Sequence, residues 1–241
     1  MKGLANLATA TPAQRSSRWP IFLCLGLSLT YSFYSVPVQR AAGHLAQELG
    51  TTGARVLTES AIWLYFVVVV GIALFWERRP LAGIGLRQLT LRTVGFGLGG
   101  AAALFLVGQV GGFVVYTLLR QAAHSDSQAA AMVDGSVLYA IVLAVRAGVI
   151  EETLFRGLAI EQLTTLTGNR LLAAGIAMMA FILVHMLRFD LAQLVPIGMV
   201  SIVLTGLYLW RRDLMANIIA HAVLDGVGLV TVALQAHVAA H

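Results

Sequence analysis

Seven stretches of mostly apolar residues, most of them near the length of a membrane span, constrain this chain more than any motif does. They cover residues 20–38, 60–76, 93–119, 136–163, 171–187, 191–209 and 214–235. A transmembrane helix needs about 20 apolar residues to cross roughly 30 Å of hydrocarbon. In that medium the backbone has no water to bond, so it must satisfy its own polar groups. Composition agrees. Hydrophobic residues make up 59% of the chain and charged residues 11%, where a soluble domain carries roughly 25% charged. The expectation is an all-α, polytopic transmembrane helical bundle of about seven spans, with six to eight admissible.

The net charge of +5 does not point to nucleic acid. The basic residues form short pairs between apolar runs, such as Arg78-Arg79 and Arg211-Arg212, as membrane-flanking anchors do. With the N-terminus inside, the inner segments hold Lys2, Arg15, Arg18, Arg78, Arg79, Arg87, Arg92, Arg170, Arg211 and Arg212. The outer segments hold Arg40, Arg55, Arg120 and Arg188. This bias predicts a cytoplasmic N-terminus. Trp19, Trp63, Trp76 and Trp210 lie near span ends, as an aromatic belt would. The single cysteine, Cys24, excludes a disulfide framework and a cysteine zinc site. The organisation read from these features is a flexible cytoplasmic tail (1–19), N-terminal transmembrane helices (20–135) with a polar connector at 39–58, and a transmembrane core (136–237). Gly95-x-x-x-Gly99 and Gly108-x-x-x-Gly112 are read as helix-packing spacings.

Ionisable residues inside the spans are the exception that carries information, because each costs several kcal/mol in hydrocarbon. They gather in the last hundred residues: Arg146, Glu151, Glu152, Arg156, His185, His221 and Asp225. Glu152 and Arg156 are four apart and share a helix face, with the acid first, so they predict an ion pair. Glu151 is rotated about 100° from Glu152 and faces elsewhere, with Phe155 as its i+4 neighbour. Phe181 with His185, and His221 with Asp225, repeat the four-residue spacing. Arg146 is assigned a structural or snorkelling role, and Glu161, His124, His237 and His241 solvated or interfacial positions. Two chemistries fit the set. Glu151 can act as a general base on water with His185 orienting it, while His221 and Asp225 stabilise an oxyanion. Alternatively Glu151, His185, His221 and Asp225 hold a divalent metal that activates the water. Spacing does not choose between them.

Glu151-Glu152-Thr-Leu-Phe-Arg156, Phe181-Ile-Leu-Val-His185 and His221-Ala-Val-Leu-Asp225 resemble the three ordered motifs of the CAAX-protease and bacteriocin-processing (Abi) family of membrane-embedded endopeptidases. The resemblance implies peptide-bond hydrolysis within the membrane. Glu151 would be the water-activating base, His185, His221 and Asp225 would complete the catalytic set, and Glu152, Arg156, Phe155 and Phe181 would support it. It implies a membrane-associated protein or peptide substrate, in a lipid bilayer. Both metal-dependent and glutamate-type mechanisms are described for the family. Metal-free catalysis is favoured here, because Glu151 is a better base when it is not a ligand. Asp225, where prenyl-protein enzymes typically carry Asn, keeps a zinc-like divalent metal open. The Arg-rich, Lys-poor composition hints at a GC-rich genome, and the expected setting is a bacterial plasma membrane. The competing readings are a proton- or ion-coupled transporter and a non-catalytic immunity or scaffold protein on the same fold. No internal repeat favours the transporter.

Overall fold

The computed structural model describes residues 19–119, 129 and 131–239, and these are mostly helical with no strand among them. Expectations for residues 1–18, for Arg120 and His124, and for His241 lie outside the described residues. The chain divides into two compact units, residues 1–83 with 158–188 and residues 84–157 with 189–241.

The first unit begins with α1 (Trp19–Leu29) and α2 (Tyr31–Gly71). The apolar helical stretch Tyr31–Trp76 is 46 residues long, yet it is not one straight rod. Tyr34 Oη donates to the carbonyl of Ala61 at 3.1 Å, and the Tyr34 and Tyr65 rings stack with centroids 4.4 Å apart. A straight helix would hold residues 34 and 61 about 40 Å apart. The chain therefore reverses, and it does so at Gly50, whose φ of 69° and ψ of 163° are non-helical. Glycine adopts a positive φ without a steric penalty. The expected connector at 39–58 is thus largely helical, and Pro37 lies inside α2. A single π-helical turn, Ile72–Trp76, ends this stretch.

The same unit contains α5 (Glu161–Thr167) and α6 (Arg170–His185). Gly168, at φ 70°, closes α5 in the left-handed conformation. Asn169 caps α6 by accepting from the amide of Leu172 at 3.0 Å. Glu161 is buried and takes Arg170 as partner at 2.8 Å. This corrects its expected solvated position: a carboxylate can enter the interior when a guanidinium follows it.

The second unit contains α3 (Leu91–Leu119), α4 (Val137–Glu151), α7 (Leu191–Arg211) and α8 (Leu214–Ala239). α8 packs against α4 and α3, and α3 packs against α7. Leu104, Leu204 and Ala220 form the buried junction of α3, α7 and α8. Glycine sets the close approaches, but not at the expected spacings. No atom would meet a Cβ at Gly95, Gly99, Gly108 or Gly112 within 4 Å. Contact falls instead on Gly97, where a Cβ would lie 2.6 Å from Ile219 of α8, and on Gly111, where it would lie 2.9 Å from the Pro196 Cα of α7.

Among the described residues four stretches are long and apolar enough to cross a membrane: Tyr31–Trp76, Leu91–Leu118, Leu191–Arg211 and Leu214–Val238. The remaining expected spans fall on the shorter apolar helices Trp19–Leu29 and Arg170–His185 and on the charged run that continues α4. That run changes character at Glu152, where a nine-residue π-helix, Glu152–Ile160, links α4 to α5.

Candidate active site

α4 and α8 meet at Gly148. A Cβ there would lie 2.9 Å from both the Ala222 side chain and the Ile218 carbonyl. A side chain at 148 would force the helices apart. Its absence brings the turn after Gly148, with Glu151 and Glu152, against the turn of α8 that carries His221. Within that contact the helix passes from α to π form. A π-helix bonds i to i+5, is rare, and is found frequently at functional sites.

Glu152 is fully buried and lies at the centre of the arrangement. Its Oε1 accepts from Arg156 Nη1 at 2.8 Å and from His221 Nδ1 at 2.8 Å. Its Oε2 accepts from Asn217 Nδ2 at 3.1 Å. Arg156 Nη2 continues to Ser201 Oγ of α7 at 3.1 Å, and Asn217 Nδ2 also reaches the Leu204 carbonyl at 2.8 Å. The ion pair expected from the four-residue spacing of Glu152 and Arg156 is present, with both side chains at most 2% exposed. An isolated buried carboxylate would be strongly disfavoured. Here three donors from α8 and from the π-helix itself compensate it.

This network decides the state of the His221 ring. An ionised carboxylate only accepts, so the Nδ1 facing Glu152 carries the proton. The Nε2 edge faces Asp225, whose Oδ2 is 3.6 Å away and whose side chain is 32% exposed. The charges of Asp225, Glu152 and Glu151 all act on the ring. With Nδ1–H committed, a neutral His221 presents a lone pair at Nε2. Only the doubly protonated ring can donate a hydrogen bond from that edge.

Glu151, the last residue of α4, is partly exposed while every residue from Glu152 to Leu163 is buried. Phe155 is 1% exposed and so belongs to the interior. Arg146 is also buried, which removes the snorkelling reading. His185 ends α6 in the first unit. Its Nδ1 lies 2.6 Å from the Phe181 carbonyl, and its ring packs on the buried Phe181 with centroids 4.4 Å apart. Among the described residues no three His, Cys, Asp or Glu side chains come together as a ligand set for a metal ion. In the second unit, Glu152 is bound to Arg156 and Asn217 and occupies His221 Nδ1.

Two members of the network carry no mark in the three motifs. Asn217 precedes His221 by four residues, so Asn217, His221 and Asp225 form one polar stripe along α8, which helical spacing can reveal. Ser201 shares its apolar span with the hydroxyls of Thr205 and Tyr208, and spacing alone does not single it out.

No curated protein and no solved structure matches the chain closely enough to be counted as similar. Residues 133–227 do match a protein-family model, described as Type II CAAX prenyl endopeptidase Rce1-like. That interval contains α4, the π-helix and the half of α8 that bears Asn217, His221 and Asp225. The network of Glu152 and His221 thus lies wholly inside the matched region, which is similar to the CAAX-protease and bacteriocin-processing family.

Proposed function

We propose that the protein hydrolyses a peptide bond in a membrane-associated protein or peptide, with Glu151 as the base that activates water. The observation that carries this reading is the buried Glu152–His221 contact at 2.8 Å, set between Glu151 and Asp225 within the region matched by the family. Glu152 is fully buried and held by Arg156, His221 and Asn217, so it is poorly placed to take a proton from water. Glu151, partly exposed at the edge of the same helix, is the carboxylate with access.

In this mechanism Glu151 takes one proton from water, and the oxygen adds to the scissile carbonyl carbon. The carbonyl electrons move to the oxygen, which becomes an oxyanion. Doubly protonated His221, held by Glu152 on one edge, donates Nε2–H to that oxyanion from the other. Asp225 lies beside the same edge and orients it. The proton on Glu151 then passes to the departing nitrogen as the carbon–nitrogen bond breaks, leaving a carboxyl and an amine. The resemblance also assigns a role to His185, which is tested separately by His185→Ala. The reaction is read here as metal-free, and no step of this mechanism runs through a metal.

The test is cleavage of membrane peptides by purified protein, with prenylated C-terminal peptides, bacteriocin-type precursors and C-terminal membrane anchors as candidate substrates. Glu151→Gln is expected to lose at least about a hundredfold in rate, as removal of a general base does. Full activity in Glu151→Gln would sink the mechanism. Activity lost on chelation and restored by one divalent ion would replace the metal-free route with a metal-dependent one. Solute uptake coupled to protons, abolished by the same substitution, would favour the carrier reading.

A further inference from the structure

The second unit contains another polar constellation, distant in sequence from the hydrolytic residues on α4 and independent of what they do. α3 and α7 run antiparallel: Gly111 approaches Pro196, Gly100 approaches Leu207, and Phe96 touches Trp210. The start of α3 and the end of α7 therefore lie at the same boundary of two candidate membrane spans. Phe96 and Trp210 meet edge to face there, with centroids 5.3 Å apart at 89°. Trp210 is 69% exposed, which suits an aromatic at the level of the headgroups.

Two arginines converge on this pair. The Arg211 guanidinium carbon is 4.0 Å from the Phe96 centroid and that of Arg92 is 5.7 Å from it. Both lie against one ring, so the two cations are within about 10 Å of each other, roughly one Debye length. Among the described residues neither guanidinium makes a hydrogen bond or an ion pair, and Arg211 Nε is buried without a partner. The nearby Asp213 does not neutralise them. Its Oδ2 accepts from Thr93 Oγ1 at 3.0 Å and its Oδ1 from the Ala216 amide at 3.3 Å, so it caps α8.

We propose that Arg92 and Arg211, with Trp210 beside them, bind the phosphate of an anionic phospholipid at this boundary. Two like charges close together, with uncommitted guanidinium donors, suit a phosphate, which guanidinium groups grip through paired hydrogen bonds. Trp210 offers an apolar face to the glycerol and upper chain. Basic pockets between transmembrane helices bind phospholipid headgroups by the same chemistry.

Native mass spectrometry of the full-length protein tests this. The probes are short-chain phosphatidylglycerol, phosphatidylcholine with the same chains, and inorganic phosphate. The wild type is expected to retain one phosphatidylglycerol in preference to phosphatidylcholine. Arg92→Gln and Arg211→Gln should each weaken it about fivefold, as loss of one basic residue near a lipid surface does. The double glutamine variant should lose more. The double lysine variant keeps both charges without the paired donors and should bind between wild type and the double glutamine variant, which separates a lost site from a lost fold, and Arg40→Gln on α2 should change nothing. Equal retention by wild type and the double glutamine variant would overturn the proposal, as would no preference over phosphatidylcholine. Displacement by an equal concentration of inorganic phosphate would also overturn it, because the site would then be for a free anion.

Discussion

The helical run from Val137 to Thr167 carries two buried glutamates that are held in opposite ways. Glu152 meets Arg156 one turn along its own helix, and both are almost wholly enclosed. It also holds Asn217 and His221. Glu161 meets Arg170 across the turn at Gly168, and that arginine keeps 30% of its side chain exposed. One carboxylate organises a network that ends on an imidazole. The other joins α5 to α6. The difference lies less in the charge than in the surroundings: Glu152 fixes Asn217 and His221 of α8 as well as Arg156 of its own run.

That comparison breaks or sharpens under arginine deletion, where the largest effect is expected. Arg156→Ala should destabilise the protein by about 3–5 kcal/mol, because it leaves a buried carboxylate uncompensated. Arg170→Ala also strips a buried carboxylate of a partner, but one with partial access to water, and should cost less, about 1–3 kcal/mol. Unfolding in a mixed-micelle titration measures both. Equal losses would mean that the enclosure of Glu152 has no energetic consequence.

Asn217→Leu comes next. It keeps the branched outline of the side chain but removes a donor to a charged acceptor, a loss of about 1.5–3 kcal/mol. If Asn217 only stabilises, cleavage by the folded fraction should keep its rate and its pH profile. If it also orients Glu152, and through it the His221 ring, the rate per folded molecule falls and the pH profile shifts. Asn217→Asp is the sharper arm, since a second acceptor beside Glu152 repels it.

Much of this arrangement is legible in the sequence. The pairing of Glu152 with Arg156 follows from four-residue spacing alone, and that spacing survives the change to a π-helix. The stripe of Asn217, His221 and Asp225 is equally visible, though the motifs single out only its last two residues. Spacing within one helix cannot reveal Arg170 as the partner of Glu161, because a left-handed glycine turn separates them. Nor can it reveal Ser201, which an apolar span hides. The stretch at 39–58 reads as a connector because it is polar. Polarity reports where a segment lies, whereas the Ala, Leu, Gln, Glu and Arg residues of 39–49 report how it folds, and they favour helix.

Gly148→Ala tests the contact that brings the two glutamate-bearing turns to α8. The added methyl would meet Ala222 and the Ile218 carbonyl at 2.9 Å. Overpacking of that kind costs about 1–3 kcal/mol. The helices must part to relieve it, so the 2.8 Å contact of Glu152 with His221 should lengthen and activity should fall further than stability. Wild-type turnover in Gly148→Ala would show that the site tolerates separation of α4 from α8.

The smallest effect concerns the glycines of α3, and it separates a spacing motif from an actual contact. Gly95 belongs to the small-x-x-x-small pattern but has open space around it, whereas Gly97, two residues on, lies under Ile219. Two residues along a helix rotate the side chain by about 200°, to nearly the opposite face. Gly97→Ala should therefore cost about 1–3 kcal/mol through overpacking. Gly95→Ala should be neutral or stabilising by about 0.4–1 kcal/mol, because alanine narrows the unfolded ensemble without a clash. Both can be read from the same unfolding titration. The pattern of four-residue spacing cannot predict this ordering, because a helix with glycines on every face offers the motif in several registers and its partner selects one. A cost at Gly95 equal to that at Gly97 would return the packing face to the motif and displace α8 from its place against α3.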